Sequence, residues 1–213
     1  MQHIQTRKNS LVFKAWKFEA NNEVSPNFNT FINKFDLNFN DMINKNKLEV
    51  KKTCHDYYDR FWRSKLQNSP KTISYQLFKN NVILESYLHQ IEIKNTKYKI
   101  ALTRFRLSNH NLLIEKGRHM RPRLDRNERK CFLCKDTVED EQHFITKCPL
   151  YSKQRSTLYH SLQNNSIHFN SLTDEQKFVF IMTNEDVNVT INIGKFIFDA
   201  FLVREKLTFY FFN

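Results

Sequence analysis

Apolar residues recur at helical spacing along most of the chain. Over residues 28–43 they fall three, four and seven positions apart, with Ser25 as the predicted N-cap and Pro26 at the first helical position. The same spacing returns over residues 50–66, and Pro70 ends that segment because proline disfavours a helical conformation in the residue before it. The pattern predicts two long amphipathic helices in this part of the chain.

Shorter helical patterns cover much of the remainder. The chain has only two glycines and four prolines, so it lacks the turn residues of a barrel or a sandwich. Gly117 stands where a helix C-cap is useful, and Thr173 to Gln176 forms a capping box. Further helices are predicted over residues 74–79, 82–91, 98–112, 149–162, 174–181 and 193–207. We therefore expect an all-α protein.

Composition and charge indicate a soluble chain with a polyanionic partner. The 213 residues are 40% apolar, which is enough for a sizeable core, and no apolar run approaches the ~18 residues of a membrane span. The first residues contain no apolar leader, so we expect no membrane association and an intracellular location, in the nucleus, the cytoplasm or both. The formal net charge of +12 favours nucleic acid as the partner, and an acidic protein is the other class that it suits.

Three cysteines and a histidine have the spacing of a metal site. Cys131, Cys134, His143 and Cys148 form the pattern C-x2-C-x8-H-x4-C, in which a tight turn presents the first two thiolates and a short helix over 140–147 brings the other two ligands together. Three thiolates and one imidazole leave no open position, so the pattern predicts a structural Zn²⁺ ion. Buried or redox-active thiols are the alternative. A small apolar cap is predicted from Phe132, Leu133, Phe144 and Ile145.

A basic stretch over residues 94–130 runs directly into this site. Arginine presents a planar set of donors that suits phosphate oxygens, so helix, basic strand and knuckle can line one polyanion track. The alternatives are a solvated helix face followed by a disordered linker, or a localisation signal. The basic residues assigned to phosphate contact are Arg104, Arg106, Arg118, Arg121, Arg123, Arg126, Arg129 and Lys130, and His110 lies among them.

Several short runs in this region resemble a known family. LTRFRLSNH (102–110), LIEKGR (113–118), RKCFLC (129–134), EDEQHF (139–144) and KCPLY (147–151) are similar to the region that follows the polymerase domain in non-LTR (LINE-type) retrotransposon reverse transcriptases. The similarity is detailed over residues 98–155. It implies a zinc knuckle that binds the element's RNA or its target DNA, with the ligands named above. By the same resemblance, recurrent basic positions of the family fall on Arg104, Arg106, His110 and Arg118.

The chain departs from that family in its catalytic motifs. It has no Tyr-x-Asp-Asp sequence, and Tyr57-Tyr58-Asp59-Arg60 lacks the paired carboxylates that hold two metal ions. No nuclease arrangement, P-loop or nucleophile elbow is apparent. We therefore expect a non-enzymatic carboxyl-terminal piece without polymerase or endonuclease domains, for which a polymerase segment of the same element is a second candidate partner.

These observations predict an ordered layout and one leading function. The layout is a helical region over 1–117, a basic connector over 118–130, a CCHC zinc knuckle over 131–151 and carboxyl-terminal helices over 152–213. The leading function is non-catalytic binding of RNA or DNA by a zinc-stabilised module. The alternatives are a zinc-stabilised helical scaffold that binds another protein, a degenerate nuclease, and an element relic without selected activity.

Overall fold

The computed structural model describes Thr30, residues 33–35, 46–163 and 168–212. Within these residues it contains helices and no strand, apart from an isolated antiparallel bridge between Lys130 and Val138. The all-α prediction is therefore confirmed for the described part of the chain. The helix predicted over 25–43 lies outside the described residues, except for Thr30 and residues 33–35, which are helical.

The described helices are distributed over two compact units, Met1–Lys65 and Leu66–Asn213. The α-helices are α1 (Lys47–Gln67), α2 (Ile73–Gln76), α3 (Tyr87–Gln90), α4 (Thr96–Arg106), α5 (Leu113–Lys116), α6 (Ser152–Gln163), α7 (Asp174–Met182) and α8 (Val187–Phe212). Short 3-10 helices are Pro70–Thr72, Ile93–Asn95, Arg126–Glu128, Pro149–Tyr151 and Phe169–Ser171, and His143–Lys147 is a π-helix.

In the first unit, α1 begins at a capping box that the sequence encodes locally. The Asn46 side chain accepts hydrogen bonds from the amides of Leu48 (2.9 Å) and Glu49 (3.1 Å), and the Glu49 carboxylate accepts from the Asn46 amide at 2.7 Å. The predicted helix over 50–66 is confirmed. Phe35 is buried against Tyr57 and Tyr58, with ring centroids 5.1 and 5.4 Å apart.

In the second unit, α4 and α8 form the main helix pair. They approach closely at Gly194, where a Cβ atom would lie 2.5 Å from the Tyr98 carbonyl oxygen. A glycine at this position is thus required by the packing, since any side chain would meet backbone. Tyr98 also packs its ring edge-on against Phe198, with centroids 5.8 Å apart.

The core of the second unit is continuous with the cysteine-containing segment. Phe144 is fully buried and lies 4.5 Å from Tyr151, 4.8 Å from Phe201 and 5.5 Å from Phe105, measured between ring centroids. Ile145 is also fully buried in the same cluster. The predicted small cap is therefore not separate, because Phe144 and Ile145 belong to the main core.

Several predicted boundaries differ from the structure. The helix predicted over 98–112 ends at Arg106, and Ser108 has a left-handed φ of 51° that stops its continuation. Of the helix predicted over 82–91, only Tyr87–Gln90 (α3) is α-helical. Gly117 does follow a helix, but its φ is −63°, and its small size is needed because a Cβ atom would lie 2.8 Å from Arg129 Cγ. The capping box at Thr173 is confirmed.

The basic segment 118–130 is packed rather than extended. The Leu124 amide donates to the Gly117 carbonyl at 3.1 Å, and Asp125 begins a 3-10 turn with a capping box to Glu128. The basic connector predicted over 118–130 lies within the second unit, and the two units divide between Lys65 and Leu66. Among the described helices, none has the length and apolar character that a membrane crossing requires.

Candidate metal centre

Cys131 and Cys134 lie on a tight hairpin. The Cys131 amide donates to the Thr137 carbonyl and the Glu139 amide to the Arg129 carbonyl, both at 2.8 Å. Lys135 closes the turn with a left-handed φ of 57°, and its amide donates to the Cys131 carbonyl at 2.8 Å. This turn directs the backbone amides of residues 133 and 134 at the Cys131 sulfur. The C-x2-C spacing thus brings the sulfurs of Cys131 and Cys134 close together and directs two backbone amides at the Cys131 sulfur.

His143 and Cys148 are brought together by the π-helix His143–Lys147. Asp140 begins the turn, since its carboxylate accepts the His143 amide at 2.9 Å. The Cys148 amide donates back to the His143 carbonyl at 2.9 Å, a bond that spans five residues. Pro149 has no amide hydrogen and ends the turn. The wide turn joins the backbones of His143 and Cys148 through this hydrogen bond; the convergence of their side chains on one ion stays a prediction.

The side chains of these residues form a compact group of potential ligands. One ligand atom from each of Cys131, Cys134 and His143 lies within 4.8 Å of the others, and Cys134 Sγ is 3.4 Å from His143 Nε2. Cys148 lies outside that mutual set, but its Sγ is 3.9 Å from Cys131 Sγ. Sulfur ligands at about 2.3 Å from a tetrahedral ion are separated by roughly 3.8 Å. The group Cys131, Cys134 and His143 can therefore hold a metal ion.

Thr137 determines the orientation of the His143 ring. Its Oγ1 lies 2.7 Å from His143 Nδ1. When Nδ1 carries the proton and donates to this hydroxyl, the lone pair of Nε2 faces Cys134, as a metal ligand requires. The sequence analysis did not identify Thr137, although its position between two ligand pairs is the signal that could have found it.

The thiols of Cys131 and Cys148 share a hydrogen bond, with 3.9 Å between the two sulfurs. This bond, together with burial, raises the pKa of Cys131 to about 12, and it lowers the pKa of Cys148. A metal ion must displace the proton held between the two sulfurs. Its affinity therefore increases with pH, because fewer protons compete for the thiolates as the pH rises.

Two buried carboxylates connect the centre to the rest of the second unit. Glu139 accepts the Leu113 amide at 2.6 Å and also accepts from two guanidinium nitrogens of Arg204, Nε at 3.0 Å and Nη2 at 2.8 Å. Both partners of this bidentate pair are buried. The hairpin that carries Cys131 and Cys134 is thus fixed to helix α8.

The second carboxylate, Glu141, is the centre of a polar cluster. It accepts hydrogen bonds from the hydroxyls of Ser74 and Ser108, both at 2.6 Å, and from His110 Nε2 at 2.9 Å. Burial alone would raise the pKa of this carboxyl, but the hydrogen bonds outweigh burial and hold the pKa at about 2. Ser108, which makes one of these hydrogen bonds, has the left-handed backbone conformation described above.

Arg155 stabilises the end of the π-helix. It is buried, and its guanidinium donates to the carbonyls of Ile145 at 2.9 Å and Cys148 at 2.6 Å. The Cys148 carbonyl also accepts the Tyr151 amide at 3.3 Å, so the guanidinium adds donors where the π-helix passes into the following 3-10 turn. Arg155 lies at the end of the similar region 98–155, and the sequence analysis did not identify its structural role.

Several of the residues assigned to phosphate contact are used within the protein. Arg106 is buried, forms an ion pair with Glu85 at 2.9 Å, donates to the Met182 carbonyl and covers the Phe78 ring. His110 is held by Glu141 as described above. These two side chains have little surface for a phosphate, because their nitrogens face other parts of the fold.

Arg118 and Arg129 anchor the basic segment. Arg129 is buried and donates to the Ile114 carbonyl at 2.9 Å and to the Leu124 carbonyl at 2.8 Å. Arg118 pairs with Glu115 at 2.9 Å and donates to the Pro70 carbonyl at 2.6 Å. These residues shape the segment rather than face solvent.

The other predicted binding residues face solvent. Arg126 is partly exposed, and its nearest carboxylate is that of Asp140 at 3.8 Å. The exposed members of the predicted set are Arg104, Arg121, Arg123 and Lys130. Comparison with known proteins adds no further assignment, since no family model, no curated protein and no solved structure matches the chain.

Proposed function

We propose that the cysteine and histidine cluster is a structural zinc centre with Cys131, Cys134, His143 and Cys148 as ligands. The donor set of three sulfurs and one imidazole suits Zn²⁺ in a closed tetrahedral site. The separations between sulfurs and imidazole in the group Cys131, Cys134 and His143 support this assignment, and Cys148, whose Sγ is 3.9 Å from Cys131 Sγ, is the proposed fourth ligand. An ion held in this way has no open position, so its role is to stabilise the fold.

Zinc content and stability test this assignment. We expect purified protein to carry one equivalent of zinc, and Cys131→Ser to lose the metal and lower the thermal unfolding midpoint. Cys54→Ser is the matched control, because Cys54 is a free, partly buried cysteine outside the cluster. Full stability of Cys131→Ser, or wild-type protein without zinc after expression in zinc-supplemented medium, would contradict the assignment.

The same module binds single-stranded RNA or DNA through its exposed basic residues. The observation that supports this proposal is that the basic residues within 118–130 have two different roles. Arg118 and Arg129 hold the segment in place, Arg121, Arg123 and Lys130 remain exposed, and Lys130 directly precedes Cys131. A net charge of +12 adds a long-range attraction to polyanions. Contacts to phosphate position a nucleic acid without reading its sequence.

A salt titration of binding tests this interface. We expect affinity for a labelled oligonucleotide to fall steeply with salt, and the triple variant R121Q/R123Q/K130Q to reduce the log–log slope by about 2, since each single-strand phosphate contact contributes roughly 0.7. The matched control is K51Q/K52Q/R60Q, which removes the same charge from exposed positions of α1.

Equal slopes for the two triple variants would assign the binding to net charge instead of this segment. No binding to RNA or DNA by folded, zinc-loaded protein would exclude the nucleic-acid function. That outcome would leave a zinc-stabilised scaffold for another protein as the function to test.

The origin of the module is proposed from sequence resemblance alone. The similarity of residues 98–155 to the region after the polymerase domain of non-LTR retrotransposon reverse transcriptases supports derivation from such an element. No catalytic step is proposed, because the four ligands leave the ion no position for substrate or water.

A further inference from the structure

A cleft of about 370 Å³ lies between α4 and α8, apart from the zinc ligands. Its volume is within the range of small-molecule sites. Ala101, Arg104 and Phe105 line it from one face of α4, and Phe198, Phe201 and Leu202 line it from one face of α8. The remaining wall consists of the loop after α4, with Asn109, His110 and Asn111, and of Glu205.

The lining combines aromatic side chains with polar groups that can form hydrogen bonds to the edge of a planar ligand. Phe198 and Phe201 are one helical turn apart and both are partly exposed. The side-chain amides of Asn109 and Asn111 are exposed and make no hydrogen bond with the described residues. Glu205 is exposed too, and a carboxylate accepts up to about four hydrogen bonds. Aromatic faces with amide and carboxylate edges are the features that hold an unstacked base.

The charge around the cleft suits a ligand with a phosphate. Arg104 is exposed at the cleft and makes no ion pair with the described residues. A second cleft, of about 420 Å³, shares its wall of Asn109, His110, Asn111 and Glu205 and also contains the exposed side chains of Lys71, Lys116 and His119. A strand can thus place a base in the first cleft while its phosphates meet cations on either side.

We propose that the cleft between α4 and α8 binds one unpaired nucleobase that carries an exocyclic amino group. The inference rests on the proposed nucleic-acid function and specifies which part of the nucleic acid, a single unpaired base, enters the cleft. The base stacks on Phe198 or Phe201, and its amino group donates to Glu205 as cytosine N4 does to a carboxylate. Arg104 meets the adjoining phosphate. Uracil presents an oxygen at the same position and is disfavoured.

Mononucleotides test the cleft independently of the basic segment. CMP and UMP differ at the group that Glu205 reads, so we expect CMP to bind about tenfold more tightly by NMR titration. Leu202→Trp fills the cleft and should abolish CMP binding. Leu107→Trp is the matched control, because Leu107 is similarly exposed (54% against 43%) but does not line the cleft.

An oligonucleotide experiment connects the cleft to strand binding. We expect 2-aminopurine placed in oligo(U) to change its fluorescence when wild-type protein or Leu107→Trp is added, and to change much less with Leu202→Trp. CMP and UMP of equal affinity, or CMP binding that Leu202→Trp leaves intact, would overturn the base site. Salt-dependent strand binding would survive that result. CMP preference without strand binding would instead support the cleft and contradict the proposed strand-binding function.

Discussion

Thr137 acts on the metal centre through a single hydrogen bond to the ring of His143. Removing its hydroxyl in Thr137→Val keeps the side-chain shape but releases His143 Nδ1, whose separation from Oγ1 is 2.7 Å. Loss of such a partner weakens metal affinity about 10- to 100-fold. Competition with a chromophoric chelator measures the change. Thr157→Val, on an exposed face of α6, should leave the affinity unchanged, and an equal loss in both variants would contradict the role of Thr137.

The residues of the centre differ in how far the sequence could identify them. The four ligands are separated by short, regular intervals, so local spacing was sufficient to propose them. The arginines have no such local signal, because Arg106 and Arg129 are buried by contacts with Glu85 and Ile114 that only the tertiary fold creates. A basic residue that anchors a loop and one that faces solvent have the same appearance in a sequence.

The contact between helices α4 and α8 leaves no room for a single methyl group at Gly194. In Gly194→Ala the new Cβ would lie 2.5 Å from the Tyr98 carbonyl oxygen, so the helices must move apart. Overpacking of this kind costs about 1–3 kcal/mol, against the ~1 kcal/mol that alanine gains in helix propensity, so we expect a net loss of up to about 2 kcal/mol. Urea unfolding measures the loss. Asn192→Ala, exposed on the same helix, should not destabilise, and a Gly194→Ala protein as stable as wild type would contradict the close approach.

Helix positions followed from apolar spacing more reliably than helix ends. The long pattern over 50–66 and the capping box at Thr173 depend on neighbouring residues alone, and both are confirmed. The end of α4 depends on the distant Glu141, whose contact with Ser108 accompanies a left-handed backbone. At the end of the π-helix, Arg155 likewise donates to the Ile145 carbonyl from ten residues further along the chain. Interactions between residues far apart in the chain therefore account for the boundaries that the pattern missed.

At the scale of the whole second unit, the pair Glu139 and Arg204 joins the metal centre to the last helix. Both side chains are buried, so Arg204→Met leaves a buried carboxylate without its partner and should cost about 3–5 kcal/mol of unfolding free energy. E139Q/R204M removes both charges and should cost less than the sum of the single changes. Denaturant unfolding of the four proteins measures this coupling.

The control for this cycle is an exposed ion pair. Arg63 and Asp59 lie on α1 with a separation of 2.7 Å, and Arg63→Met should cost less than about 1 kcal/mol. Strictly additive effects at Glu139 and Arg204 would show that the two residues do not stabilise each other.

Glu139 and Arg204 are 65 residues apart in the chain, so they are synthesised at different times. A ribosome adds roughly 5 to 20 residues per second, so Glu139 is synthesised about 3 to 13 s before Arg204. All four proposed zinc ligands precede Arg204 by a similar interval. The nascent chain thus contains all four proposed ligands before it contains Arg204, the counter-ion of Glu139. Helix α8 therefore packs against a segment whose proposed ligands have already been synthesised.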